Sequence, residues 1–83
     1  MPTIARADVT AALAEIISEI TDVPVGDIRE ESSFADDLGT DSLSMLEIAV
    51  AAEERFAVMI ADDRVKTFTT VGDAVDHIAA HRA

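Results

Sequence analysis

Apolar side chains recur at helical spacing in two long stretches of this 83-residue chain. In the first stretch, positions i, i+4, i+7, i+8 and i+11 are aliphatic, which places them on one face of an α-helix. These residues are Val9, Leu13, Ile16, Ile17 and Ile20. Because Val23 precedes Pro24, and a residue before proline disfavours the helical conformation, the helix should end near Thr21.

The second stretch predicts a helix from about Asp41, whose carboxylate can cap the first turn, to about Phe56. At about 100° per residue its apolar positions form two stripes. The core stripe comprises Met45, Ile48, Ala49, Ala52 and Phe56. The opposite stripe and its acidic neighbours comprise Leu43, Leu46, Val50, Glu47, Glu53 and Glu54. A chain this short cannot cover both faces, so the acid-rimmed stripe is expected to be an exposed docking surface.

Turn-forming residues dominate between these helices, over residues 21–40. Pro24, Gly26 and Gly39 predict a long loop. Its apolar side chains should fasten it to the core, and they are Val25, Ile28, Phe34 and Leu38.

Two shorter helices are predicted after residue 60. The first is a single turn over residues 62–66. Thr70 and Asp73 then have the spacing of a capping box that opens a last helix ending near His81. Its buried face should comprise Val71, Ala74, Val75, Ile78 and Ala79. The predicted fold is an all-α, small four-helix bundle with a long loop between helices 1 and 2 and a short third helix, in one domain spanning residues 1–83.

Composition refines this prediction. Hydrophobic residues make up 49% of the chain but aromatic residues only 4%, so the core must be largely aliphatic. No cysteine is present, and any thiol chemistry would have to arrive on a cofactor. The N-terminus lacks a basic region followed by an apolar run, as a signal peptide would have. No stretch approaches the ~18 apolar residues that a membrane span needs. We expect a cytoplasmic protein with no membrane association.

Acidic residues outnumber basic residues strongly, and the net charge is −11. Such a charge repels nucleic acid and favours partners with basic surfaces, although acidity also serves solubility alone. No nucleic-acid partner is expected.

Ser42 is the most informative residue, because it stands where an acidic loop, Asp36-Asp37-Leu38-Gly39-Thr40-Asp41, meets the second helix. A serine nucleophile needs a base within reach, and His77 and His81 are far along the chain, with no Gly-x-Ser-x-Gly elbow present. Ser42 therefore indicates an attachment point in a protein that is not an enzyme. The alternative is an ordinary helix-capping serine.

Metal binding has weak support. The acidic pairs at residues 36–37 and 62–63 lack the spacing of a calcium loop. His77 and His81 stand at i and i+4, a spacing that suits zinc, but without a third ligand nearby. No metal site is predicted.

The sequence Asp41-Ser42-Leu43 at the start of an acidic helix resembles the phosphopantetheine attachment motif of acyl carrier proteins. The resemblance covers nearly the whole chain and includes Phe34-Ala35-Asp36-Asp37-Leu38-Gly39, Leu46-Glu47-Ile48, Glu53-Glu54-Arg55-Phe56 and Thr69-Thr70-Val71-Gly72-Asp73-Ala74. The second helix looks most like freestanding carriers of actinobacterial fatty acid synthesis. Thr40, Ser44 and Ala61 depart from the common bacterial pattern without touching the attachment motif.

This resemblance implies that a phosphopantetheinyl transferase, the holo-ACP synthase, moves the 4′-phosphopantetheine of coenzyme A onto Ser42, flanked by Asp41 and Leu43. It implies a monomer that holds acyl chains as thioesters and serves type II fatty acid synthase enzymes with basic docking patches. It also implies that acyl chains fold back between the helices near Ala49 and Ala52. The implied partner-binding residues are Asp41, Leu43, Leu46, Glu47, Val50, Glu53 and Glu54.

Three other interpretations stay open from the residues alone. The first is a carrier for a polyketide or other specialised synthase. The second is an unmodified acidic helical interaction module, and the third is a small cation-binding protein.

Overall fold

A computed structural model describes residues 6–81 of the chain. The predicted domain of residues 1–83 also takes in residues 1–5 and 82–83, which lie outside the described residues. The helices are α1 (Arg6–Thr21), α2 (Ser42–Phe56), α3 (Asp62–Val65) and α4 (Val71–His81), and a 3₁₀ turn spans Val25–Asp27. No β-strand occurs between residues 6 and 81. The predicted all-α bundle with a long first loop and a short third helix is confirmed.

Helix α1 is the element against which the bundle assembles, because both α2 and α4 pack on it. Its side chains at Leu13 and Ile17 are fully buried, as is Ile78 of α4. Complete burial of an aliphatic side chain of this size contributes roughly 1.5–3 kcal/mol. The predicted aliphatic core is therefore the main source of stability, and it leaves α2 with one face in the core and the other toward solvent.

Backbone hydrogen bonds fasten the long loop to the segment that precedes α4. Phe34 N–H donates to Thr69 O at 3.0 Å, and Val71 N–H donates to Ser32 O at 3.0 Å. Ser33 and Thr70 form an isolated antiparallel bridge between these bonds. We call this set of contacts, between residues 30–34 and residues 69–72, the backbone seam.

Glycine at position 72 lets the seam close. Gly72 N–H donates to Glu30 O at 2.7 Å. A Cβ atom at position 72 would lie 3.1 Å from the same oxygen, closer than most contacts of real side chains. A larger residue would therefore push the loop away from the start of α4.

Two predicted core positions are wrong. Val25 is 45% exposed, because it opens the 3₁₀ turn, in which Asp27 N–H bonds to Pro24 O and the side chain is carried outward. Ala79 is exposed, because it lies about 100° further round α4 than the buried Ile78 and so leaves the face that meets α1. The other predicted loop anchors, Ile28, Phe34 and Leu38, are buried.

Arg6 joins the start of α1 to the loop and to α4. Its guanidinium lies 2.7 Å from Glu30 Oε1 and 2.6 Å from Asp76 Oδ1. Thr10 Oγ1 donates to the other oxygen of Glu30 at 3.1 Å. These groups are largely exposed, so their ion pairs add little stability compared with the core.

The predicted capping box at the start of α4 is confirmed. Asp73 Oδ2 accepts the N–H groups of Thr69 at 2.8 Å and Thr70 at 3.1 Å, and Asp73 N–H donates to Thr70 Oγ1 at 3.3 Å. The two donated N–H bonds lower the pKa of the Asp73 carboxyl below its usual range. The ionised carboxylate therefore holds the segment of the seam that leads into α4.

Replacing Asp73 with alanine should lower the free energy of unfolding by roughly 1 kcal/mol, the usual loss when a helix cap is removed. The folded pKa is depressed, so this contribution is present above the unfolded value of about 3.9 and is lost as pH falls through the folded value. Urea unfolding of both proteins between pH 3 and pH 7 measures the difference.

Asp76→Ala is the matched control for Asp73→Ala, because it removes a carboxylate of the same helix whose partner Arg6 is exposed. Asp76→Ala should lower the free energy of unfolding by less than Asp73→Ala does. Equal losses, or a difference in unfolding free energy between wild type and Asp73→Ala that does not narrow at all between pH 7 and pH 3, would show that Asp73 does not cap α4.

Candidate functional site

Asp41 sets the first turn of α2. Its backbone is extended, and its Oδ1 accepts the N–H of Ser44 at 2.8 Å. Its carbonyl accepts the N–H of Met45 at 2.9 Å, the first bond of the helix. The N–H and hydroxyl of Ser44 lower the pKa of the Asp41 carboxyl, so the cap is ionised at neutral pH. The predicted capping role of Asp41 is confirmed.

Thr40 connects this helix start to the backbone seam. Its N–H and its hydroxyl both donate to Phe34 O, at 2.9 Å and 2.8 Å. The Phe34 side chain is buried, and its N–H bonds to Thr69 across the seam. Gly39, with a φ of +63°, makes the turn between Phe34 and Asp41. Ser42, the residue after Asp41, therefore has a well-defined position although a long loop precedes it.

Ser42 is the first residue of α2 and is exposed. Among residues 6–81, no side chain or backbone group forms a hydrogen bond with its hydroxyl. The cap is Asp41, so the alternative that Ser42 is a helix-capping serine is wrong. The hydroxyl has no structural task in the part of the chain that the structure describes.

A cleft of about 550 Å³ opens beside Ser42, between the end of the long loop, the start of α2 and the α3 region. Its apolar floor comprises Phe34, Met45, Val65 and Phe68. Its charged rim comprises Asp36, Asp41, Asp62 and Lys66. A mostly apolar cleft with a few polar groups at its rim is typical of a small-molecule binding site.

The floor of the cleft is also a wall of the bundle interior. The same four apolar side chains line a small internal void of about 10 Å³. Ala49, Ala52 and Ile60 also line this void but do not line the cleft. A space of that size holds one water molecule at most, so a guest would enter only if the wall moved.

The histidines lie away from Ser42. The Nε2 atom of His77 is 3.0 Å from Met59 O, and the Nδ1 atom of His81 is 2.8 Å from His77 O. Because a carbonyl only accepts, these ring nitrogens are donors. Neither ring lines the cleft, so neither can serve as a base for Ser42. Between residues 6 and 81, no three side chains of metal-ligating type form a cluster.

The acid-rimmed stripe of α2 is exposed, as its periodicity predicts. Leu43 is 66% exposed, Leu46 41% and Val50 53%. Glu47 and Glu54 stand beside Leu46 and Val50 along a shallow groove. On the opposite face, Ile48, Ala49, Ala52 and Phe56 are buried, and Met45 is half-buried.

Glu53 differs from the other acids of the stripe. Its side chain is half-buried, and its Oε2 accepts the N–H of Ile60 at 2.8 Å. One carboxylate oxygen is therefore already used to close the turn between α2 and α3.

Lys66 and Phe68 are two cleft residues to which no sequence pattern assigned a functional role. Both belong to the short segment around α3, where four helical residues are too few for an apolar period to define a face. Only the packing of Val65 into the core shows which way this segment turns.

No helix among the described residues has the length and apolar character needed to cross a membrane.

Comparison with known proteins agrees with this geometry. The phosphopantetheine attachment site family matches residues 11–78. Acyl carrier proteins of Acidothermus cellulolyticus and Beutenbergia cavernae are 54% and 49% identical over 76 residues, which cover 92% of this chain and 90% and 93% of those proteins. A solved structure of the acyl carrier protein of Enterococcus faecalis superposes with a TM-score of 0.77 at 32% identity, over 94% of this chain and 99% of that one.

Asp41→Ala and Ser42→Ala should affect stability differently if the cap assignment is right. Loss of the cap should lower the thermal midpoint of the unmodified protein by about 4–8 °C. Ser42→Ala should leave it unchanged or slightly raised, because alanine favours the helix and no hydrogen bond is lost. Thermal unfolding followed by circular dichroism measures both. A midpoint for Ser42→Ala as low as that of Asp41→Ala would contradict the assignment.

Proposed function

The chain belongs to the acyl carrier protein family, and we propose that it carries acyl chains as thioesters on a phosphopantetheine arm attached to Ser42, as a single carrier domain of type II fatty acid synthesis. Carriers of this family bear a covalently attached 4′-phosphopantetheine. The protein is therefore a carrier with a prosthetic group and not an enzyme.

The observation that carries the assignment to Ser42 is its free, exposed hydroxyl at the first position of α2. Asp41 performs the capping that would otherwise occupy a serine at a helix start. Attachment at Ser42 therefore breaks no hydrogen bond within the described chain. The cleft beside it offers room and an apolar floor for a flexible arm.

The attachment reaction is assigned to an external enzyme, because no histidine lines the cleft and the carboxylate next to Ser42, that of Asp41, is the helix cap. In the transfer, the Ser42 oxygen forms a bond to the phosphorus of the arm while the pyrophosphate bond of coenzyme A breaks. The serine proton passes to a base of the transferase, and the nucleotide part of coenzyme A leaves. The protein contributes an accessible oxygen on a rigid helix end.

The arm supplies the thiol that this chain lacks, since no cysteine is present. That thiol forms the thioester that holds the acyl chain. The small void near Ala49, Ala52 and Ile60 is the space that an acyl chain would widen on entering the bundle. Entry from the cleft would require movement among the four side chains that line both spaces, which are Phe34, Met45, Val65 and Phe68.

The exposed stripe of α2 is the proposed docking surface for the transferase and for the enzymes that load and unload the arm. Leu43, Leu46 and Val50 offer apolar contact next to Ser42. The acids Asp41, Glu47 and Glu54 face basic partners, and Glu53 has one oxygen left to take part. Charges at the rim of such a surface mainly speed encounter.

Type II fatty acid synthesis is favoured because the relatives are separate small proteins of nearly the same length as this chain. If a relative were a large synthase with a carrier domain, that protein would be much longer than the segment that matches this chain. The same proposal places the chain in the cytoplasm, where an exposed thiol stays reduced.

Incubation with coenzyme A and a phosphopantetheinyl transferase should add one phosphopantetheine to the wild-type chain, as intact-mass spectrometry will show. Ser42→Ala should gain nothing. Ser44→Ala, which changes the neighbouring serine of the same helix turn, is the matched control and should be modified fully. Modification of Ser42→Ala, or none of the wild type while a control carrier is modified, would refute the assignment.

Reversing two docking charges, Glu47→Lys with Glu54→Lys, should lower kcat/KM for this transfer by roughly tenfold or more at low salt, because electrostatic steering is lost. The difference in kcat/KM between this variant and the wild type should decrease as salt is added. Initial rates of coenzyme A consumption measure the effect.

Glu15→Lys with Glu19→Lys is the matched control for the docking variant. These two acids are exposed on α1, and the change in net charge is the same. The control should retain a rate close to that of wild type. Equal slowing of both variants would mean that overall charge, and not the α2 surface, governs the encounter.

A further inference from the structure

The phosphodiester that attaches the arm brings a negative charge into an acidic neighbourhood. Asp36, Asp41 and Asp62 already line the cleft beside Ser42. The chain as a whole has a net charge of −11. The negative charge of the arm is therefore repelled by most of its surroundings. The direction in which the arm lies depends on the position of a positively charged group.

The N-terminus of α2 is already partly occupied by a carboxylate. A helix start attracts anions through its unpaired N–H groups, but here the carboxylate of Asp41 already accepts the N–H of Ser44 at 2.8 Å. The same hydrogen bond keeps this carboxylate ionised. An ionised Asp41 beside Ser42 repels a phosphodiester from the helix axis.

Among residues 6–81, Lys66 is the one cation that lines the cleft. It follows α3 directly, and its backbone N–H donates to Asp62 O at 3.2 Å. Burial of the adjacent Val65 holds this segment against the bundle. The Lys66 side chain is exposed, and no carboxylate among residues 6–81 lies within ion-pair distance of its ammonium group. Its charge is therefore available.

We propose that Lys66 is the counter-ion of the phosphodiester on Ser42 and that this pair directs the arm across the cleft toward α3. The inference rests on the proposed attachment at Ser42. The ammonium group of Lys66 pairs with a non-bridging phosphate oxygen, while its methylene groups lie along the apolar floor. The arm then passes over Met45 and Phe68, the side chains in front of the internal void.

Arg64, which lies in α3 two residues before Lys66, provides a matched control. It is exposed and positively charged, but it lines a different groove with Asp73, Asp76 and His77, away from Ser42. Arg64→Gln and Lys66→Gln therefore make the same change in net charge at positions two residues apart. Only the second removes a charge from the cleft.

The test is NMR of the phosphopantetheine-bearing protein, prepared with wild-type, Lys66→Gln, Lys66→Arg and Arg64→Gln chains. On modification of the wild type, the ¹³Cε and ¹Hε signals of Lys66 should shift. Nuclear Overhauser contacts between the methyl groups of the arm and Phe68 report the fraction of arms lying across the cleft. This fraction should fall roughly two- to fivefold in Lys66→Gln, the range expected for an exposed ion pair.

Two further results separate an ion pair from a structural effect of residue 66. Lys66→Arg should restore the contacts with Phe68, and Arg64→Gln should keep them. High salt should weaken the contacts in the wild type but not in Lys66→Gln, because an exposed pair is screened.

The proposal is overturned if the Lys66 signals do not respond to modification, or if Lys66→Gln and Arg64→Gln behave alike. Either outcome leaves the attachment at Ser42 intact, because the mass of each sample establishes it first. A wild-type chain that accepts no phosphopantetheine overturns the proposed function, and this inference with it.

Discussion

The backbone seam between residues 30–34 and 69–72 is the constraint on which the rest of the site depends. Backbone groups of a long loop need hydrogen-bond partners when they approach the core, and here the partners come from the segment before α4. The carbonyl oxygen of Phe34 accepts hydrogen bonds from the N–H and hydroxyl of Thr40, and the N–H of Phe34 donates to Thr69 O. The start of α2 is thereby tied to α4 through one buried residue. Ser42 presents its hydroxyl from a fixed position because this chain of contacts ends next to it.

Helix α2 separates two tasks between its faces. The buried face uses small side chains, Ala49 and Ala52, which let α1 approach closely and leave a void of about 10 Å³ beside them. The exposed face carries leucine and valine among acids, an arrangement that has no value for folding. Ser42 stands at the junction of the two faces. Among residues 6–81, three carboxylates and one ammonium group line the cleft beside it, and the proposed direction of the arm rests on this division of charge.

Much of this arrangement follows from local sequence, and the rest depends on contacts between distant residues. The three long helices, the Asp41 cap and the Thr70–Asp73 box could be predicted, because helical period and capping involve residues at most four positions apart. The exposure of Leu43, Leu46 and Val50 also followed, since a short chain cannot cover both faces. The seam could not be predicted, because backbone pairing leaves no side-chain pattern. Lys66 was missed because its place beside Ser42 is set by how the short α3 packs.

The free hydroxyl of Ser42 is proposed to carry a phosphopantetheine arm loaded with fatty acyl chains. The most direct measurement is intact-mass spectrometry, with fragment ions that locate the modification, on the protein purified from the cell that makes it. Phosphopantetheine on Ser42, with further masses that rise by two-carbon units as in a growing fatty acid, is the result expected. A chain that is unmodified, or modified at another residue, would contradict the account.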